Sequence, residues 1–290
     1  MWRTLEDFYT WYRADGFVIR PPFDQSVVVD DAAYRYVIFR HGRFQVMLHL
    51  GDRRHATDVV ARLAGRRVES RILTLAGEAF LSVEKWPRNV GAFSSAPPDP
   101  KPAAGRRAPR RRWSSVEAFA LWYVGRRYPF RIPEGEPTYG TANSRSLALY
   151  REGQFQAELY LVKPDSASPE HCHPGIDSVI VPWGGEFSST RNGQFRDGSR
   201  YWGVRTAQGT SPAFGTLSER LNDSQTHALY AYRKGAAFLS IERWRSDLRP
   251  TSVTVNWEGE PVDDGHQRVI RAVRRSSNTP LAFGAHPGGS

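Results

Sequence analysis

The sequence is nearly free of cysteine. Cys172 stands alone among 290 residues, so no intrachain disulfide can form, and a reducing, cytoplasmic setting is expected. It also lacks any apolar run near the ~20 residues that a membrane-spanning helix needs, so no membrane role is expected. The opening MWRTLEDFYT carries acids and has no apolar stretch of the kind a secretory leader needs. No phosphate loop, dinucleotide fingerprint or evident nucleophile–base pair is present, which removes the commonest sequence signatures of enzymes. Disorder is excluded as well, since 40% of the residues are hydrophobic and 12% aromatic.

Acidic residues are outnumbered, and the formal charge is +10. The excess is concentrated. Residues 94–112, SSAPPDPKPAAGRRAPRRR, carry six basic side chains, one acid and five prolines. Prolines prevent a regular basic helix, and no aromatic residue interleaves with the charges before Trp113. The segment therefore reads as a solvated tether with weak, salt-sensitive affinity for nucleic acid.

An internal repeat organises the rest. At an offset of 111, Leu5-Glu6-Asp7-Phe8 matches Val116-Glu117-Ala118-Phe119, Trp11-Tyr12 matches Trp122-Tyr123, and Gly42-Arg43-Phe44-Gln45 matches Gly153-Gln154-Phe155-Gln156. GEAFLSVEKW (77–86) matches GAAFLSIERW (235–244), but at an offset of 158. The second copy is thus longer, and its extra residues lie between Leu161 and Gly235. The expected organisation is a first lobe over 1–93, a Pro/Arg-rich linker over 94–112, a second lobe over 113–275 and a loose tail over 276–290.

Each copy opens on a helical stripe, Leu5, Phe8, Tyr9 and Tyr12 in the first, with Thr4/Asp7 and Ser114/Glu117 as capping boxes and Gly16 and Gly125 as stops. Strands are expected at Tyr34–Arg40, Phe44–Leu50, Ser146–Arg151, Phe155–Val162, Ser178–Val181, Thr226–Tyr232 and Ala237–Trp244. Asn192-Gly193 and Asp197-Gly198 mark a hairpin or loop in the insertion. Because Trp11/Trp122 and Trp86/Trp244 are repeat-equivalent, these tryptophans are expected to serve core or lobe–lobe packing. The fold class is mainly β, as a sandwich or small barrels.

The insertion holds the chemistry. His171 and His173 are two apart, so on a strand both imidazoles share a face, suited to one metal ion. Asp177 follows four residues after His173, with Glu186 as a rival carboxylate, and His227 offers a third imidazole. Cys172 reads as a small packing residue. Glu158, Tyr160, Tyr230, Tyr232 and the loop 184–215 are the candidate lining of an adjoining pocket.

His171-x-His173, three residues, Asp177, six residues and Gly184, followed later by His227, resembles the two metal motifs of the cupins, with Asp where the family has Glu. The resemblance covers about residues 145–245 and reaches 5–88 only through the repeat, where no HxH occurs. It implies two cupin-like small β-barrel (jelly-roll) lobes, each preceded by a short amphipathic helix. It also implies one divalent transition metal (Fe, Mn, Ni or Zn) held by His171, His173, Asp177 and His227. Three function classes follow. The first is a metal-binding bicupin, such as a metal-dependent oxygenase or isomerase acting on a small molecule. The second is a non-catalytic structural or assembly protein, for example of a virion, with a homo-oligomer as its partner. The third is a nucleic-acid-associated protein using the basic linker.

Overall fold

The computed structural model describes residues 2–14, 25–30, 33–51, 55–75, 79–90, 113–125, 129–130, 139–140, 143–167, 176–191, 194–202, 219–221 and 227–244. The linker 94–112, the tail 276–290, Gly16 and the His171-Cys172-His173 sequence lie outside them.

The first half runs α1 (Leu5–Ala14), β1 (Val28–Asp30), β2 (Ala33–His41), β3 (Phe44–Leu50), α2 (His55–Gly65), β4 (Glu69–Thr74) and β5 (Ala79–Lys85). The second runs α3 (Val116–Gly125), β6 (Tyr139–Gly140), β7 (Ser144–Glu152), β8 (Phe155–Val162), β9 (Ser166–Ala167), β10 (Ile176–Arg191), β11 (Gln194–Trp202), β12 (Glu219–Leu221) and β13 (His227–Trp244). The chain is mainly β, as expected. Its strands form two antiparallel sheets, ordered β1-β2-β3-β5-β4 and β11-β10-β13-β8-β7-β6. Among the described residues the two sheets are jelly-roll-like, as expected, and neither closes into a barrel.

The helix starts follow from side-chain caps. Thr4 Oγ1 accepts from Asp7 N at 3.0 Å while Asp7 Oδ2 accepts from Thr4 N at 3.0 Å, a reciprocal box. In α3 the cap is Ser115, whose Oγ accepts from Ala118 N, and not Ser114 as the spacing suggested. Replacing Thr4 with Ala should cost about 1 kcal/mol of stability, read from the urea midpoint with m unchanged. A shift below a few tenths of a kcal/mol would mean that the cap is idle.

The pairing registers recur between the halves. Val37 pairs Met47 and Phe39 pairs Val46 across a bulge; Ala148 pairs Glu158 and Tyr150 pairs Ala157 across the same bulge. Gln45 faces Glu84, and Gln156 faces Glu242. Trp2 packs edge-on against Phe8 (4.8 Å) and Phe44 (5.6 Å), while Trp113 packs tilted or edge-on against Phe119 (4.7 Å) and Phe155 (5.3 Å). Trp11 and Trp122 pack against the main core and Trp244 is buried, as the repeat suggested.

Both halves contribute to one core. Val46, Leu48, Leu81 and Val83 join Leu159, Leu161, Leu239 and Ile241 in a single buried cluster that also takes Phe8, Phe119 and Trp183. Alternation explains it: these residues share one parity on β3, β5, β8 and β13. The halves are further tied where Val27 N donates to Lys234 O and Gly185 N to Gln25 O, both at 2.9 Å, and Tyr36 Oη donates to Trp183 O at 3.0 Å.

Two differences from the sequence expectation shape the site. Thr226–Tyr232 and Ala237–Trp244 are not two strands; β13 runs on through Gly235, which takes φ +69° and lets the strand bend. β10 bends beside it at Gly185 (φ +73°). Asp197-Gly198 lies inside β11 instead of at a turn, and the hairpin closes at the pair Arg191↔Gln194. Past the bend, Phe187, Leu229 and Ala231 cluster with Tyr160 and Phe238 on the sheet's second face. In the first half that face is covered instead by α2, through Val59 and Leu63 against Phe80.

Candidate functional site: a buried carboxylate pair

The parity opposite to the main core carries polar residues, and they are buried. On β8 these are Gln156 and Glu158, on β13 Ser240 and Glu242, and on β7 Ser146. A buried carboxylate needs donors to replace water, and here each finds them. Ser146 Oγ donates to Glu158 Oε1 at 2.7 Å, and Ser240 Oγ donates to Glu242 Oε1 at 2.7 Å. Trp244 Nε1 donates to Glu242 Oε2 at 2.9 Å. The Gln156 amide reaches both acids, Glu158 Oε2 at 3.0 Å and Glu242 Oε2 at 3.5 Å, while its oxygen accepts from Arg151 Nε at 2.8 Å.

Two acids that share one amide cannot both ionise cheaply out of water. Burial is the larger cause and the neighbouring Glu158 charge the next; together they push the Glu242 carboxyl up to about 8, against the donors Ser240 and Trp244 and the more distant Arg151.

Comparison of the two halves separates what they have in common from what the second alone carries. The first half reproduces most of the network: Arg40 Nε donates to Gln45, Gln45 Nε2 to Glu84 at 3.0 Å, Ser82 Oγ to Glu84 at 2.6 Å, and Trp86 Nε1 to Glu84 at 2.8 Å. A feature present twice on different surroundings belongs to the fold. Glu158 is not repeated; the position paired with Val37 in the first half, as Glu158 is with Ala148, holds Met47. Tyr160 likewise stands where the first half has His49. Its ring stacks on Phe238 at 5.2 Å, as His49 does on Phe80 at 4.4 Å.

The expected metal ligands are distributed as follows. His171, His173 and Cys172 lie outside the described residues. Asp177 is half-buried on β10 opposite Arg243, and His227 is the first residue of β13, opposite Arg191. The register therefore puts Asp177 and His227 at opposite ends of the β10–β13 ladder. Glu186 is buried just past the bend, opposite Trp202. Among the described residues no three His, Cys, Asp or Glu side chains converge as a metal group. Of the expected pocket lining, Glu158 and Tyr160 are buried, and Tyr230 and Tyr232 are half-buried with rings 4.7 Å apart. Glu242 and Gln156 were not singled out from sequence. The available signal was the Glu between Ser and Trp in both FLSVEKW and FLSIERW, on the parity opposite to the apolar residues.

No family model and no curated protein matches the chain. Solved structures that it is similar to include KdgF from Halomonas sp., at 13% identity over 41% of this chain and 96% of that one, with a TM-score of 0.31. An RmlC-like cupin from Shewanella frigidimarina gives 13% identity over 41% and 92%, with a TM-score of 0.30. The Cnp3 cupin domain of Schizosaccharomyces pombe gives 8% over 38% and 70%, with a TM-score of 0.29. Likeness at this level assigns no activity. Among the described residues no helix is long and apolar enough to cross a membrane.

Proposed function

We propose that the chain is a duplicated, cupin-like protein whose second half binds one divalent cation at the Glu158–Glu242 end of the sheet. The observation that supports this is the unrepeated Glu158, which creates a buried like-charge pair with Glu242. Such a pair needs a proton or a cation to offset its repulsion. The donor set fits in part. Two carboxylates share a face of neighbouring strands, but their lone pairs now accept from Ser146, Gln156, Ser240 and Trp244. Further ligands are needed, and His171 and His173 are the candidates, because their segment enters β10 at its Asp177 end and Ser178 pairs with Glu242. Bound there, a transition metal would act as a Lewis acid toward a small ligand; no reaction is assigned.

Elemental analysis and titration with Mn(II) and Zn(II) test the reading. Near-stoichiometric metal is expected, abolished in His171→Ala/His173→Ala, lowered at least tenfold in affinity by Glu158→Gln, and unmoved by Met47→Gln in the first half. His227→Ala and Asp177→Ala show which end of the ladder completes the site. Metal retained in the double histidine variant overturns the assignment.

A second reading is favoured by one observation: the acids are already hydrogen-bonded by a network largely repeated in the first half. On it the chain is a scaffold assembling with further copies, and no metal binds at micromolar concentration.

A further inference from the structure

The first half holds a cavity of about 200 Å³ that the second half's repeat does not explain. It lies between the second face of the sheet and α2. Arg35, His49 and Phe80 line it from the strands, and His55, Asp58 and Arg62 from the helix. Arg35 has no cationic counterpart in the second half. Tyr139 pairs with Ser146 there as Val28 pairs with Arg35 here. The guanidinium is thus an addition to the scaffold that the halves have in common, and no helix matching α2 occurs among the described residues of the second half.

The polar groups are arranged to accept negative charge. Arg35 Nη2 and Arg62 Nη1 both donate to Asp30 Oδ2, at 3.2 and 2.8 Å, so two cations share one carboxylate oxygen. Asp58, the other acid of the lining, is exposed at the rim. Arg35 Nε is buried and has no hydrogen-bond partner. A buried donor on a charged group without an acceptor is rare and unfavourable. The wall beside it is neutral and flat. His49 is buried, its ring lies parallel to Phe80 (5° between planes), and its Nε2 is 2.8 Å from Ser82 Oγ. The first turn of α2 opens on the same space, adding the positive end of a helix.

We infer that this cavity is a binding site for a small oxyanion-bearing molecule, whose carboxylate or phosphate is held by Arg35 and Arg62 against the His49–Phe80 wall. A planar guanidinium suits an oxyanion better than a point charge does. The volume is below that of a drug-sized pocket, ~300 Å³ and above, so the ligand is small. The site is independent of the proposed metal, which lies in the other half.

Isothermal titration of the full chain with malonate and with inorganic phosphate, at ionic strength matched with chloride, tests it. At least one should bind with a dissociation constant of about 1 mM or tighter, and malonate against phosphate identifies the preferred group. Arg62→Gln, a half-exposed position where folding is not at stake, should weaken binding at least fivefold. Arg35→Gln should weaken it tenfold or more. Arg71→Gln, which breaks a surface pair with Glu6, should leave it unchanged. Binding of neither anion overturns the proposal, and so does binding that survives Arg62→Gln unaltered.

Discussion

Gly185→Ala is expected to cost about 3 kcal/mol or more, a large share of the ~5–15 kcal/mol that holds a domain folded. Two effects add. Gly185 sits at φ +73°, where a Cβ costs roughly 1–2 kcal/mol. An added Cβ would also overlap the backbone of the neighbouring strand, the carbonyl of Gly235 above all. Backbone has no rotamer by which to move aside, so the bend of β10 and β13 must open, and with it the contact of Phe187 and Leu229 against Phe238. Gly153 is the control: its φ is +60°, but open space surrounds its Cβ position. Gly153→Ala should therefore show only the conformational cost, roughly 1–2 kcal/mol. Denaturant midpoints of both variants decide the matter. If Gly185→Ala loses no more than Gly153→Ala, the bend is not a tightly packed corner.

That corner also shows where the sequence was legible and where it was not. The apolar stripe of α1 and the strands Tyr34–Arg40, Phe44–Leu50 and Phe155–Val162 follow local periodicity, and they stand where the pattern placed them. The repeat also indicated which tryptophans pack. α2 was missed because His55–Gly65 follows directly on the β3 strand pattern and shows only Val59 and Leu63 as a short i, i+4 stripe. The continuity of β13 was missed because Arg233-Lys234-Gly235 looks like a turn. Its backbone continues because β10 pairs along the strand on both sides of the glycine, with β9 beside it before the glycine and β8 after it. Non-local pairing thus overrode a local signal.

The candidate site was legible only in part, for a similar reason. His171-x-His173 is a contiguous pattern that a reader of sequence notices, whereas Glu158 and Glu242 are far apart in the chain and converge only through the β8–β13 register. Asp177 and His227 carried motif-like spacing, yet the ladder runs between them. The same register places Gln156, rather than any histidine, between the two acids.

The pH dependence of stability should report that convergence. Glu242 is raised from 4.5 to about 8 in the folded protein, first by burial and then by Glu158. Below about 4.5 the carboxyl is protonated whether the chain is folded or not, and its contribution is fully present. Above that the unfolded chain releases the proton and the folded one holds it, so stability falls with rising pH until about 8. Glu84, raised by burial, has the same sign. His49 opposes them at lower pH. Burial, then Arg35 and Arg62, depress it from 6.5 to about 3, so its contribution is complete above 6.5 and is lost as pH falls toward 3. The window between about 6.5 and 8 therefore isolates the carboxyls. Across it, with chelator present to exclude any cation, the wild-type protein should lose on the order of 2 kcal/mol at ~1.4 kcal/mol per pH unit for one proton. Glu242→Gln should flatten most of that slope. Ser240 can rotate to accept from the new amide, so the variant should be more stable than wild type above about pH 8. Glu158→Gln removes the second cause and leaves burial, so its slope should begin to fall at lower pH and end sooner. Denaturation midpoints that are level across this window in the wild-type protein would mean that burial and Glu158 do not raise Glu242.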